Sequence, residues 1–233
     1  MRSLLFVPAD GGPKLDKALA SGADAVIIDL EDSIVLERKP AARTAALEFL
    51  KQAGAAKQRP HLLVRINGLD TGMTDADLDA IVAGKPDAVV FPKAEGGPSV
   101  VHLDAKLTAR EAIAGVTEGQ IKILAQAVES AAGLFAAGNF RNAGPRLIGL
   151  TWGPEDLSAE LGAATNRDAQ GELTDPIVLP AQCASTRRPP QKCRPSKRSM
   201  STSAIRMACA AILKPRVVTV SRGGSPFTRR RCR

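Results

Sequence analysis

Two acidic residues far apart in the chain occupy matching positions. Glu129 follows the apolar run Ile121–Val128, and Asp156 follows the apolar run Leu147–Trp152 within Gly153-Pro-Glu-Asp156-Leu157. Each run reads as a short buried strand, so each acid lies at the carboxyl end of its own strand. In a parallel α/β barrel that is the end where chemistry is assembled. Two carboxylates converging there can hold a hard divalent cation such as Mg²⁺. Three further strand ends carry polar groups: Asp29-Leu-Glu-Asp32, Arg65-Ile-Asn67 and Pro92-Lys93-Ala-Glu95. Arg65 is placed to pair with Glu31 or Glu129. Lys93 is placed for ion pairing, or for Schiff-base chemistry. Alone, each signal is weak, because an acid after a strand serves more often as a helix cap than as a ligand. Together they point to a site. Charges repeated at one end of successive strands are costly to bury unless a metal or an anionic ligand balances them.

The elements that must position these residues alternate in type. Strands are expected at Ser3–Pro8, Ala25–Leu30, His61–Asn67, Ala88–Pro92, Ile121–Val128 and Leu147–Trp152. Continuous apolar runs such as Ala25-Val-Ile-Ile28 fit strands buried on both faces. Between them, helices are expected at Pro13–Ser21, Pro40–Gln52, Thr74–Val82, Ser130–Ala137 and Pro154–Leu161. Proline opens the first, and Ala, Leu and Glu dominate the second. Thr74-Asp-Ala-Asp77 reads as a cap with an acidic first turn. Ser130 reads as an N-cap and Glu155 as a cap of the last helix. Alternation of this kind is the pattern of βα units around a parallel sheet. Six units are recognisable, three-quarters of an eightfold α/β barrel.

Charge divides the chain in two. Residues 1–180 carry 18 Lys and Arg against 24 Asp and Glu, whereas residues 181–233 carry 14 Lys and Arg and no acid. All four cysteines (Cys183, Cys193, Cys209 and Cys232) lie in the second part, at spacings that match no metal motif. We therefore read 1–180 as an incomplete barrel domain and 181–233 as a basic, disordered tail, with a short helix at Ala204–Leu213 and a short strand at Val217–Val220 its only candidate elements. No apolar run approaches the roughly 20 residues of a membrane helix. The N-terminal Ser-Leu-Leu-Phe-Val-Pro8 is too short for a signal peptide and is read as a strand. A cytoplasmic protein without membrane association is the expectation. A basic tail of this composition is more often disordered than nucleic-acid-binding.

In order along the chain come Arg2-Ser-Leu-Leu-Phe-Val-Pro8, Gly22-Ala-Asp-Ala-Val-Ile-Ile-Asp-Leu-Glu-Asp32, Val64-Arg-Ile-Asn67, Phe91-Pro-Lys93, Ala127-Val-Glu129-Ser130 and Gly153-Pro-Glu-Asp-Leu157. This series resembles the citrate lyase β-subunit-like branch of the HpcH/HpaI aldolase family, over residues 1 to about 180. The resemblance implies a TIM (β/α)8 barrel that makes or breaks a carbon–carbon bond with Mg²⁺. The implied substrates are 3-hydroxyacyl-CoA thioesters of the citryl-, malyl- or citramalyl-CoA type, which yield an acyl-CoA and a 2-oxo acid. It further implies that Glu129 and Asp156 are the metal ligands and that Arg65 and Glu129 bind substrate, Arg65 through a planar fork for a carboxylate or enolate oxygen that matters more for the ligand than for folding. Glu31 and Asp32 would then orient Arg65 or metal-bound water, with Lys93 beside them, and Trp152 would pack near the site. Intact relatives are expected to be homo-oligomers, with a C-terminal acid from a neighbouring subunit taking part in catalysis.

The tail departs from this family. Relatives continue with a Val-Asp-Phe-type strand and a Lys/Arg-Leu-x-Ile-His-Pro-x-Gln segment, and neither is present as written. A reading frame shifted by two bases lets 199–212 spell YVDFRDPDGLRRD and 221–233 spell TGRLAIHPAQVP. On this reading the tail is the last two βα units in the wrong frame, and the lyase activity of the chain is impaired. Two rival readings stand beside it: a class I aldolase using Lys93 as a Schiff base, and a non-enzymatic barrel remnant whose basic tail binds nucleic acid.

Overall fold

The computed structural model of the protein describes residues 1–174, apart from Arg2, Lys57 and Leu173, together with Val220 and Ser221. The expected tail elements and all four cysteines lie outside the described residues, except for the strand at Val220–Ser221.

Six βα units follow one another: β1 Leu4–Pro8, α1 Pro13–Leu19, β2 Ala25–Asp29, α2 Lys39–Gly54, β3 His61–Arg65, α3 Thr74–Ile81, β4 Ala88–Phe91, α4 Gly97–Ala114, β5 Lys122–Val128, α5 Ala131–Ala136, β6 Leu147–Trp152 and α6 Pro154–Glu160. With β7 at Val220–Ser221 the sheet order is β6-β5-β4-β3-β2-β1-β7, and every pairing is parallel. One face of the sheet is covered by helices. Val26, Ile28, Leu62, Val64, Val89 and Ile123 pack there against residues such as Leu15, Ala46, Leu78 and Leu103. The other face carries no helix among the described residues and has a smaller core, built from Leu4, Ala25, Ile27, Leu63, Ala88, Val90 and Leu124. Burial on both faces explains why the strands are apolar without alternation. Several strands stop short of the expected ends, β2 at Asp29, β3 at Arg65 and β4 at Phe91. The polar residues that follow them therefore lie in the strand-to-helix loops.

Helix α4, the longest among the described residues, was not expected from the sequence. It opens on Gly96-Gly97-Pro98, which look like turn residues, yet Pro98 falls in the first turn, where proline is tolerated. A Cβ on Gly97 would lie 2.6 Å from the Asn139 carbonyl oxygen, so that glycine permits close approach. The buried stripe Val100, Leu103, Leu107 has helical spacing but continues to a carboxylate, Glu111. Gly115, at φ 63°, ends the helix in the left-handed conformation.

Glu111 explains its own burial. It accepts the Gly119 and Ile121 amides at 2.8 Å and both terminal nitrogens of Arg146 at 2.8 and 2.7 Å. Arg146 also donates to the Ile121 carbonyl, to Thr108 and to Asp104. One ion pair thus ties the end of α4 to the starts of β5 and β6, the strands that lead to Glu129 and Asp156. Removing one partner leaves the other charge buried and unpaired. Arg146→Met or Glu111→Gln should each cost roughly 3–5 kcal/mol in urea unfolding. The double replacement Glu111→Leu/Arg146→Met should cost clearly less than the two single losses added. Strict additivity would mean that the pair does not act as a unit.

Candidate active site

Asp29 and Arg65 are the last residues of β2 and β3 and are direct register partners. The Arg65 Nε and Nη2 groups donate to the two Asp29 oxygens at 2.7 and 2.6 Å. Nη1 pairs with Glu31 at 2.8 Å and with Asp32 at 3.5 Å. The guanidinium carbon lies 4.9 Å from the centre of the Phe6 ring on β1, within cation–π range. Arg65 is 2% exposed. Burial works against its charge, but the Asp29 fork outweighs this and holds the guanidinium firmly protonated. Burial works against the Asp29 carboxylate too, yet Arg65 pulls its pKa below the ordinary value. Glu31 goes the other way: burial raises it, and Arg65 and Lys93 offset only part of that.

Lys93 follows β4 and adopts φ 50°, the left-handed region that is uncommon for a residue with a side chain. This turn gives it two contacts. Its backbone amide donates to Glu129 Oε2 at 2.8 Å, and its ammonium donates to Glu31 Oε1 at 3.0 Å. Burial disfavours the ammonium, but Glu31 and nearby Asp32 and Asp156 outweigh it and raise its pKa. Glu129, at the end of β5, is buried and also accepts from Gln126 Nε2 at 2.6 Å. Burial pushes its pKa up to about 8; the Lys93 amide opposes this, and the charges of Asp156 and Glu31 add to it. A Cβ at Gly153 would collide with the Glu129 carboxylate, so the start of the β6–α6 turn is shaped to leave that group room. Asp156 sits one turn further on, in the first turn of α6.

A second buried network holds the β2–α2 loop. The Lys39 ammonium donates to the carbonyls of Leu30 and Glu31 at 2.8 and 3.1 Å and to Asn67 Oδ1 at 2.7 Å. Asn67 in turn donates its backbone and side-chain N–H groups to Asp77, which Arg43 also reaches at 2.7 Å. Burial lowers the Lys39 pKa. These bonds fix the backbone that carries Glu31.

The structure brings Arg65, Glu31, Asp32, Lys93, Glu129 and Asp156 to one end of the sheet. A cleft of about 360 Å³ beside them is lined by Lys93, Glu129, Ser130, Asp156, Glu95 and Glu160. Ser130 caps α5, accepting the Gly133 amide at 3.0 Å. Trp152 is partly buried against the helix-side core. Three carboxylates hold the Arg65 guanidinium. Two helix-cap expectations are not met. Thr74 does not cap α3: it is the first helical residue, and its hydroxyl donates to the Asn67 and Gly68 carbonyls; the acidic first turn is present in Asp75 and Asp77, of which Asp77 is a buried acceptor. Glu155 is exposed in the first turn of α6, which has no side-chain cap. Asp29, Gln126, Gly153 and Lys39 received no site role from sequence. Asp29 could have been found, since a strand-terminal acid pairs in register with a strand-terminal arginine.

The model of the HpcH/HpaI aldolase/citrate lyase family matches residues 2–188. The chain belongs to that family. Within it, the citrate lyase subunit beta of Leuconostoc mesenteroides subsp. cremoris is 32% identical over 169 residues, covering 72% of this chain and 55% of the relative. The citrate lyase subunit beta-like protein of Mycobacterium tuberculosis (strain ATCC 25618 / H37Rv) is 36% identical over 171 residues, covering 73% and 54%. The crystal structure of CitE from Mycobacterium tuberculosis in complex with magnesium, acetoacetate and coenzyme A superposes with a TM-score of 0.61 at 32% identity, over 78% of this chain and 60% of that one. The chain thus spans about half the length of the curated relatives it matches.

The position of Glu129 has a measurable consequence for the metal-free protein. Its pKa is about 8 when folded and near 4.3 in an unfolded chain. Between those values the folded state keeps a proton that the unfolded state has lost. This contribution to stability is complete below about pH 4 and declines as pH rises towards 8. Glu129→Gln removes the dependence. In EDTA the variant should match the parent near pH 5 and exceed it at pH 8, by an amount on the order of a few kcal/mol. Thermal melts at the two pH values check the sign, and a variant less stable at pH 8 would refute it.

Proposed function

We propose that this chain carries the strand-end machinery of a Mg²⁺-dependent carbon–carbon lyase on a TIM-barrel scaffold. Its substrate is a 3-hydroxyacyl-CoA of the citryl-, malyl- or citramalyl-CoA type, cleaved to an acyl-CoA and a 2-oxo acid. The observation that carries the reading is the pairing of Glu129 and Asp156 at successive strand ends on one cleft. The donor set suits the ion. Mg²⁺ keeps several waters and is held by one or two carboxylates, so two suffice although no group of three or more metal-ligating side chains occurs among the described residues. Gly153 keeps the Glu129 oxygens clear of backbone crowding. A divalent cation would also favour the charged form of Glu129 that burial and the neighbouring acids disfavour.

When bound, Mg²⁺ would polarise the oxygen of the oxo-acid half. The residues of the chain set the rest. Glu129 and Asp156 hold the ion, with Glu129 fixed by the Lys93 amide and by Gln126. Arg65 supplies a permanent positive charge beside Glu31, and a substrate carboxylate would reach its Nη1 group by displacing Glu31 or Asp32. Lys93 keeps Glu31 in place and adds a second positive charge. Cleavage breaks the C2–C3 bond: the C3 hydroxyl gives up its proton to a base and becomes the oxo group, the bonding pair passes to the thioester enolate, and the enolate carbon takes up a proton to give the acyl-CoA.

The Schiff-base reading is disfavoured by the ion pair of Lys93 with Glu31 and by its raised pKa, since a nucleophilic amine has to be neutral. The division into a lyase unit, 1–180, and a basic tail, 181–233, forms part of this proposal, as do a cytoplasmic location, homo-oligomeric intact relatives and the frame-shifted origin of the tail. No helix among the described residues is long and apolar enough to cross a membrane.

Calorimetric titration of Mg²⁺ into the full chain should show binding that Glu129→Gln or Asp156→Asn weakens about tenfold or more. Any release of acyl-CoA from malyl-, citramalyl- or citryl-CoA should stop in EDTA. Magnesium binding indifferent to both substitutions would overturn the assignment. Arg65→Lys keeps the charge but loses the fork. It should weaken binding of oxaloacetate, pyruvate or glyoxylate and also lower the melting temperature, because Asp29 loses its bidentate partner. Unchanged oxo-acid affinity would remove Arg65 from the substrate site.

A further inference from the structure

Gln126 on β5 and Thr151 on β6 are direct register partners on the helix-free side of the sheet, two residues beyond Leu124 of the helix-free core. They are 5% and 1% exposed. Gln126 Nε2 donates to Glu129 Oε1 at 2.6 Å. Gln126 Oε1 and Thr151 Oγ1 are buried without a hydrogen-bond partner among the described residues. Buried polar oxygens of this kind are rare in folded proteins and costly when left unpaired.

The local backbone explains how the glutamine reaches the carboxylate. In a regular strand, residues three apart point to opposite faces. The β5–β6 register shifts between Gln126 and Val128, where Gln126 opposes Thr151 but Val128 already opposes Trp152. The extra residue, Ala127, is a bulge, and a bulge re-aims the side chain that follows it. Here it brings Glu129 round to the Gln126 amide. With its donor spent on Glu129, the amide needs a donor for its own oxygen. Without one, the group is free to flip and present its oxygen to a carboxylate. Thr151 is the adjacent side chain that can supply a donor, because its hydroxyl rotates freely.

We propose that Gln126 is the positioning residue for Glu129, and that Thr151, through one water molecule shared with Gln126 Oε1, fixes the glutamine in the orientation that faces Glu129 with its N–H. Glu129 is then clamped on both oxygens, by the Gln126 amide group and by the Lys93 backbone. Both donors are in place before a cation arrives. The inference rests on the reading of Glu129 as a metal ligand, and its test separates the two ideas.

The full chain is compared with Gln126→Met, Thr151→Val and Thr151→Ser, and with Glu129→Gln as a control. Mn²⁺, as a probe for Mg²⁺, is titrated and followed by electron paramagnetic resonance, and melting temperatures are measured in EDTA. Gln126→Met and Thr151→Val should each weaken Mn²⁺ binding about tenfold, and Thr151→Ser should restore it to nearly the parent value. In EDTA, Thr151→Val should lower the melting temperature. If the hydroxyl truly has no partner, removing it raises the melting temperature instead, and the proposal falls. It falls equally if Gln126→Met binds Mn²⁺ as the parent does while Glu129→Gln does not. If Glu129→Gln binds like the parent, the metal reading has failed, and the sign of the Thr151→Val shift still decides whether Thr151 holds Gln126.

Discussion

Arg65 and Lys93 bring two positive charges to a strand-end cluster that holds the carboxylates of Asp29, Glu31, Asp32, Glu129 and Asp156. Asp29 takes the fork of Arg65, Glu31 bridges Arg65 to Lys93, and Asp32 touches the outer edge of the guanidinium. The side-chain cations are then spent. Glu129 and Asp156 remain on the far side of the cluster, and from Lys93 Glu129 receives a backbone amide rather than the ammonium. This imbalance governs the arrangement. Burial, with Asp156 and Glu31 adding to it, drives the Glu129 carboxyl group towards its neutral form. The glycine at 153, the bulge in β5 and the left-handed turn at 93 all serve to let one carboxylate exist in a place where its charge is not locally matched.

The scaffold delivers these groups through repetition. Each parallel strand ends at the same edge of the sheet, and the ends of β2 to β6 add polar side chains there. The supporting charges lie behind that edge. Lys39, Asn67 and Asp77 fix the loop of Glu31, while Glu111 and Arg146 fix the entries to β5 and β6. Both sets are buried polar networks with partners on several sides, which makes them specific in geometry and intolerant of partial loss.

Much of this was legible because apolar runs bounded by charges define both strands and strand ends. Leu147–Trp152 and the order of the six units could be read directly, and so could the gathering of Arg65, Lys93, Glu129 and Asp156. What stayed hidden depends on local departures from regular structure. Helix α4 was masked by a Gly-Gly-Pro opening and by a stripe that runs into a buried glutamate. Gln126 read as an ordinary strand residue because three-residue spacing places it opposite Glu129 unless a bulge intervenes. Arg65 read as a ligand-binding fork because its occupation by Asp29 follows from strand register, which residue types alone do not give.

Lys93 shows what such a reading overlooks in principle. Its ammonium does side-chain chemistry, holding Glu31. Its amide is not encoded by the side chain at all, since every residue except proline carries one. What the Glu129 contact demands of position 93 is a backbone able to rest at positive φ, a requirement met most easily by glycine and asparagine. Two kinds of information are therefore superimposed on one residue, a side-chain identity and a conformational permission. Across related chains they can drift independently. A substitution that erases the charge can leave the anchor of Glu129 intact, and one that preserves the charge on a stiffer, β-branched backbone can lose it.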